Sequence, residues 1–366
     1  MRRVLCHHWF VMSLATLVLV GALAFPSSTR AMLSIDFEQP FYVHDGWQVW
    51  DFCLVEHAGT YHIFYLAVPE SAPQPAESDH IWHATSSDLV RWSEPVIALS
   101  VTDGGPEGQA LWAPDVVWDE VSARWWMAYT AVDHLNNQRI CMAWSDDLDT
   151  WTRSENNPVL EPEPPLFFYY PQGGWAECRD PFLFREGGRW HMLATVKTTG
   201  LPQGQGALLH ATSSGLETWA VLDVFLLNEG ETPEAALESS QYHQITGGHH
   251  VFLHEYASVG ITHLAAEEPG DWDFAARTTI DLGIAPEVDS FDGGETWLLS
   301  RAAPYQVPVN PVVSVVTRID TLGFRQGAVA PTVFRGDPWA EDFAEYSGSM
   351  CLGNPCFGDN PAARGE

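Results

Sequence analysis

Short aromatic and aliphatic runs recur along the chain in pairs, each pair split by a tight polar turn and spaced at a nearly constant interval. The first run of each pair is led by a carboxylate: Asp51-Phe52-Cys53-Leu54-Val55, Asp115-Val116-Val117-Trp118, Asp180-Pro181-Phe182-Leu183-Phe184, Glu238-Ser239-Ser240-Gln241-Tyr242 and Glu287-Val288-Asp289-Ser290-Phe291. Turns follow at His57-Ala58-Gly59, Glu186-Gly187-Gly188, Thr246-Gly247-Gly248 and Asp292-Gly293-Gly294, with Ser122-Ala123 in the second copy. The partner runs are Tyr61 to Tyr65, Trp125 to Tyr129, Trp190 to Ala194, His250 to His254 and Trp297 to Ser300. Runs of this length and composition, joined by glycine turns, predict antiparallel hairpins.

A second motif follows the hairpins. His83-Ala84-Thr85-Ser86-Ser87-Asp88-Leu89-Val90-Arg91-Trp92 returns as the segments Met142 to Trp151 and His210 to Trp219, and a shorter copy ends at Asp271-Trp272. It predicts a third strand, a Ser/Asp/Gly turn and a tryptophan that opens an outer strand. Lead carboxylate and closing tryptophan lie roughly 35 to 40 residues apart, close to the length of a four-stranded propeller blade. The lead strands therefore predict an all-β, five-bladed β-propeller of four-stranded antiparallel blades, with the active site at the axial end of the inner strands. A long β-sandwich is the alternative, but it gives no reason for a carboxylate at the same phase of each unit. Gathering carboxylates around an axis is unfavourable through repulsion and desolvation unless something uses them. For Asp115 and Glu287 a solvated turn cap is an equal alternative.

Composition agrees with β structure: 17 Trp, 18 Phe and 10 Tyr stand beside 29 Gly and 25 Pro. The formal net charge is −31, and Lys197 is the sole lysine. Such a surface repels phosphate backbones and acidic substrates, which argues against nucleic acid as a partner; solubility or a salty habitat accounts for it. Met1-Arg2-Arg3, the apolar run from Phe10 to Leu23 and Ala22-Leu23-Ala24 read as an export signal, with Thr29-Arg30-Ala31 a second cleavage site and an uncleaved anchor the alternative. The expected organisation is a signal peptide at 1–24, a leader at 25–40, a propeller catalytic domain at 41–335 and an acidic Gly/Pro-rich tail at 336–366, in a secreted or periplasmic protein with no membrane insertion after cleavage. Beyond the signal, Cys53, Cys141, Cys178, Cys351 and Cys356 remain, an odd number. Cys351 and Cys356 are close enough in the tail to bridge in an oxidising compartment, whereas Cys53 and Cys178 read as small buried hydrophobes.

The order Asp51, Arg179-Asp180-Pro181, Glu238, together with Trp50-Asp51, Tyr61-His62-Ile63-Phe64-Tyr65, Ala84 to Trp92 and Trp112-Ala113-Pro114-Asp115, resembles the five-bladed glycoside hydrolases of families 32, 43, 62 and 68, the β-fructosidase and arabinanase group. The resemblance covers roughly residues 41 to 301. It implies that Asp51 is the nucleophile of a retaining enzyme or the base of an inverting one. Asp180 stabilises the oxocarbenium-like transition state, Arg179 binds the sugar and Glu238 is the proton donor. These roles require Glu238 to be protonated near neutrality and Asp51 ionised. The surroundings differ from family 32, which has Asn-Asp-Pro-Asn-Gly at the nucleophile and Glu-Cys-Pro at the acid; here they read Trp50-Asp51-Phe52-Cys53-Leu54 and Glu238-Ser239-Ser240. Glu177-Cys178 is the alternative acid.

Trp47, Trp50, Trp112 and Trp175 are candidate stacking platforms for a sugar, with core or rim packing the alternative for each, alongside Asp115 as a further substrate-binding residue. His249 and His250 read as structural. A channel calcium occurs in some relatives, but nothing here has ligand spacing, and no cofactor is expected. The expected function is glycosidic cleavage of furanosides, fructosides or arabinosides, with an oligo- or polysaccharide as partner. The alternatives are a non-catalytic carbohydrate-binding propeller and a phosphorylase similar to family 130, which would need a basic phosphate pocket.

Overall fold

The computed structural model describes residues 41–71, 78–167, 176–245, 248–256, 260–291 and 297–302. The expected signal peptide, leader and tail, with Cys351, Cys356 and Trp175, lie outside the described residues. Blade one consists of β1 (Trp47–His57), β2 (Thr60–Pro69), β3 (His80–Ser86) and β4 (Val96–Ser100). Blade two follows with β5 (Ala110–Asp119), β6 (Arg124–Val132), β7 (Gln138–Ser145) and β8 (Thr152–Arg153). Blade three contains β9 (Arg179–Glu186), β10 (Arg189–Thr198), β11 (Gln205–Ser213) and β12 (Ala220–Leu227). Blade four contains β13 (Leu237–Ile245), β14 (Gly248–Glu255), β15 (Gly260–Ala266) and β16 (Thr278–Leu282). These are four 4-stranded sheets in simple sequential order; β17 (Ile284–Asp289) and β18 (Leu298–Ala302) form a 2-stranded fifth among the described residues. The inner strands pack β1 on β5, β5 on β9, β9 on β13, β13 on β17, and β17 back on β1, which closes the ring.

The turns explain the repeat. Ala58 and Gly59 (φ 53 and 83) and Gly187 and Gly188 (φ 56 and 78) are left-handed pairs that match strand twist in a two-residue hairpin. Blade two reaches the same end without glycine: Ala123 takes φ 50, and Asp119 accepts hydrogen bonds from the Ser122 N–H (2.8 Å) and hydroxyl (2.7 Å). In the second motif the serine closes the turn. The Oγ of Ser86, Ser145 and Ser213 accepts the N–H of Leu89 (2.9 Å), Leu148 (2.9 Å) and Leu216 (3.0 Å) respectively. Each of these leucines sits in the left-handed region with its side chain buried, at φ 59, 66 and 68. Asp88 and Asp147 accept the next main-chain N–H groups, so these carboxylates are structural.

The core lies between blades rather than within them. Trp126 and Met142 of blade two meet Trp190, Met192 and Leu209 of blade three, and Leu193 and Leu208 meet Val251 and Leu253 of blade four. Each such side chain removed from water contributes about 1.5 to 3 kcal/mol, which is what holds separate sheets in one ring. Blades one, three and four also share an imidazole pair bridging their second and third strands: His62–His83 (2.9 Å), His191–His210 (2.9 Å) and His250–His263 (3.0 Å). One ring must donate and the other accept, so each pair requires at least one neutral ring.

Candidate active site

Each inner strand breaks register with its partner near its start: between Val49 and Phe52, Trp112 and Asp115, Glu238 and Gln241, Ile284 and Glu287, and in β9 opposite Leu193 and Thr195. These bulges turn short segments into the axis, which is lined by Asp51-Phe52, Ala113-Pro114-Asp115, Asp180-Pro181-Phe182, Ser239-Ser240-Gln241 and Ala285-Pro286-Glu287. Ala113, Asp180, Ser239 and Ala285 occupy the same place in four of them and share a left-handed backbone, φ 42, 54, 49 and 48. The segments reveal a correction to the sequence reading. The lead carboxylates do not share one phase: Glu238 is the last residue paired before its bulge, Asp180 is the first residue of its bulge and Asp51 the second, and Asp115 and Glu287 resume the pairing after theirs. Two groups result, one at the mouth and one further along the channel.

At the mouth, Asp51, Asp180 and Glu238 are joined through donors. The Ser239 hydroxyl donates to Asp51 Oδ1 at 2.6 Å, and the Ser239 N–H donates to Asp180 Oδ2 at 3.0 Å. The Thr195 hydroxyl reaches the same Asp180 oxygen at 3.3 Å, and the Asp180 N–H is taken up by Thr130 Oγ1 at 3.0 Å. The Arg179 guanidinium donates to Glu238 Oε1 from Nη2 (2.8 Å) and Nε (3.2 Å), and from Nη1 to Gln138 Oε1 (3.1 Å). It also lies 3.8 Å from Asp180 and 3.6 Å from Glu177. His254 Nδ1 is 3.3 Å from Glu238 Oε2. Glu177 turns its other oxygen to Lys197 at 3.4 Å.

The electrostatics follow from these contacts. Burial pushes Asp51 upward against the Ser239 hydrogen bond. Burial and the adjacent Asp51 push Asp180 up to about 8, with Arg179 pulling the other way. Glu238 is also desolvated, but Arg179 and His254 outweigh that and hold it at about 2. This runs against the expectation that Glu238 is the protonated member. The reason is the guanidinium, which lies on Glu238 rather than midway among the three.

Further along, Asp115 Oδ2 accepts the Leu183 N–H at 2.5 Å, and Glu287 accepts the Leu54 N–H at 3.1 Å and the Gln241 amide. Burial raises Asp115 to about 7, and burial with mutual repulsion raises Glu287 and Asp289. Asp115 thus belongs to this second group rather than to the mouth. Trp50 and Trp112 are 8% and 7% exposed and pack in one cluster with Leu66, Val68 and Val132, so they fill the apolar seam between blades one and two, beside the residues that line the axis. Cys53, Cys141 and Cys178 are free and buried. Among the described residues no group of three or more His, Cys, Asp or Glu side chains is arranged to hold a metal ion.

The sequence profile of the glycosyl hydrolases family 32 N-terminal domain matches residues 51–275, from within β1 to just before β16. The chain belongs to glycosyl hydrolase family 32. This family 32 chain is 30% identical over 179 residues to a probable sucrose-6-phosphate hydrolase of Psychromonas ingrahamii, covering 46% of this chain and 29% of that protein. It is 30% identical over 188 residues to a levanase of Bacillus sp. (strain L7), covering 47% and 18%. Matches to these curated relatives therefore span less than a third of their length. Among solved structures, a Bombyx mori family 32 β-fructofuranosidase superposes with a TM-score of 0.55 at 19% identity, over 71% of this chain and 56% of that one. An inulosucrase from Halalkalicoccus jeotgali bound to kestose gives 0.56 at 18% identity, over 72% and 77%. At such identities the likeness shows the shared propeller fold.

Sequence reasoning passed over Ser239, His254, Thr130 and Thr195. Three of them stand directly across a strand pair from residues already singled out: His254 opposite Glu238, Thr195 opposite Arg179 and Thr130 opposite Trp112. Counting back from each hairpin turn points toward them, once the bulge is known.

Proposed function

We propose that this chain is a glycoside hydrolase that cleaves fructosides with the carboxylates of three blades. The observation that carries the reading is the convergence of Asp51, Asp180 and Glu238, from β1, β9 and β13, on one hydrogen-bonded network at the channel mouth. Asp51 attacks the anomeric carbon, or activates water to do so. Asp180 and Arg179 hold sugar hydroxyls, and Glu238 protonates the leaving oxygen. Arg179 links binding to acidity: a sugar hydroxyl that draws the guanidinium off Glu238 lets that carboxyl rise toward the range of a working acid. Trp50 and Trp112 shape the wall of the sugar site. The reaction runs on carboxylates and invokes no cofactor, and the relatives' names, sucrose-6-phosphate hydrolase and levanase, support a fructoside as the carbohydrate partner. The export pattern of residues 1–24 supports a secreted or periplasmic enzyme, which N-terminal sequencing of the mature protein checks.

The test is release of fructose from sucrose, levan and inulin, with aryl arabinofuranosides as the competing class, by wild type and Asp51→Asn. Turnover in wild type alone supports the proposal; equal inactivity of both on every substrate removes it. The second reading, a propeller that binds sugar without cleaving it, draws on the upward push on Asp51, since a protonated carboxyl is no nucleophile. Saturable binding without turnover, unaffected by Glu238→Gln, would favour it.

A further inference from the structure

Ser239 occupies in blade four the place that Asp180 holds in blade three, the first residue of the bulge, and it lines the axial cavity together with Asp180 and Asp51. Its left-handed backbone, φ 49, turns the main-chain N–H inward, where it meets Asp180 Oδ2 at 3.0 Å while the hydroxyl meets Asp51 Oδ1 at 2.6 Å. A serine hydroxyl carries one proton and spends it here on Asp51. From the double grip we infer that Ser239 is a positioning residue for the hydrolysis: it fixes which oxygen of Asp51 faces the substrate and holds Asp51 and Asp180 in one arrangement at the mouth.

The inference rests on the fructosidase reading and extends it to a residue outside the carboxylate set. With Oδ1 engaged by the hydroxyl, Oδ2 is left as the attacking atom, and rotation about the Asp51 side chain is restrained. The groups that act on Asp51 besides Ser239 are Glu238, which disfavours its charge, and its own main-chain N–H and His254, which favour it; Asp180 repels it and is itself countered by Arg179. Ser239 is thus a neutral donor placed directly on the nucleophile, where a buried carboxylate gains most from one. The simpler account is that Ser239 only closes the bulge. That account uses the backbone alone, and the hydroxyl is then dispensable.

Ser239→Ala separates the two, because alanine keeps the N–H and the same backbone demand while deleting the hydroxyl. The expected result is a fall in kcat of about 10- to 100-fold, the loss of one hydrogen bond to a charged group, with KM within about threefold, and an acid limb of kcat/KM displaced to higher pH. Ser239→Cys, a weaker donor of similar size, falls between. Unchanged kcat and an unmoved acid limb in Ser239→Ala overturn the assignment. Carboxyl-carbon NMR titration of Asp51 in both proteins gives a reading independent of turnover: an upward shift in Ser239→Ala supports the role, and no shift overturns it. If wild type cleaves no furanoside, the fructosidase reading fails, and the titration still decides whether Ser239 governs Asp51. If the alanine variant does not fold, the same titration is read on Ser239→Cys.

Discussion

The mouth and the channel behind it each gather three carboxylates, Asp51, Asp180 and Glu238 in one and Asp115, Glu287 and Asp289 in the other, yet their surroundings differ in kind. The mouth supplies a guanidinium, an imidazole and a serine hydroxyl. The channel supplies main-chain N–H groups and one amide, and no cation is among the causes acting on its carboxylates. In the channel burial moves each acid toward its neutral form, and the main-chain N–H groups they accept tie one blade to the next: Asp115 holds Leu183 of blade three, and Glu287 holds Leu54 of blade one. At the mouth the same residue types are driven apart, with Asp180 at about 8 and Glu238 at about 2. Carboxylates are spread along this axis by position, but chemistry is assigned by the donors that meet them.

The comparison breaks most sharply on substitution by the isosteric amide. Asp51→Asn is expected to lower kcat by about 10³-fold or more, whereas Glu287→Gln keeps kcat within about threefold; comparable losses in both would erase the distinction. Next in size, Arg179→Gln removes the cation that holds Glu238 and contacts Asp180. Buried carboxylates left unpaired are destabilising by about 3 to 5 kcal/mol, so both melting temperature and kcat/KM should drop, measured by calorimetry and steady-state kinetics.

A smaller effect is the opposite pH dependence of the two groups. Asp115, Glu287 and Asp289 have folded values above their unfolded ones, so their contribution is complete below about pH 4 and is lost as pH rises, through about 7 for Asp115. Glu287→Gln mimics the protonated state and should raise the melting temperature at pH 8 by about 3 °C or more, with little gain at pH 4. Glu238 behaves in reverse: its folded value is depressed, so its contribution is present above about pH 4.5 and is lost as pH falls through about 2. The smallest effect belongs to the imidazole pairs. Burial lowers His83 to about 4 and His263 to about 3, so stability falls as pH drops below about 6.5, where the unfolded chain takes up protons first. His83→Gln should remove about one proton from the uptake on unfolding at pH 5, read by the slope of stability against pH.

Much of the ring was legible because its signals are local. A serine that closes a turn and a leucine buried behind it repeat within a few residues and mark three blades, and the paired aromatic strands mark the fourth and the start of a fifth. Even the blade without a glycine turn was visible, since Ser122-Ala123 stands where the others have glycine, with Asp119 supplying the cap. The site was legible as a set of carboxylates but not as an arrangement. A bulge of one residue decides whether an acid opens or closes its axial segment, and nothing in Asp115-Val116 or Asp180-Pro181 announces that difference. Partners such as His254 and Thr195 come from the neighbouring strand of the same blade, and Ser239 acts on residues of two other blades. The protonation order was misjudged for the same reason: Arg179 was assigned to the sugar, and its position on Glu238 is a tertiary fact.

The bond from the Leu54 N–H to Glu287 joins residues 233 positions apart, and Ser239 meets Asp51 across 188. Closing loops of that size precedes the reward of the contacts they permit, which makes ring closure a late event in folding. Blades one to three can hold their hairpins while Asp51 still lacks Ser239 and Glu238 has yet to be synthesised. On the proposed reading, a nascent or truncated chain therefore carries Asp51 without the residue that positions it and without a proton donor.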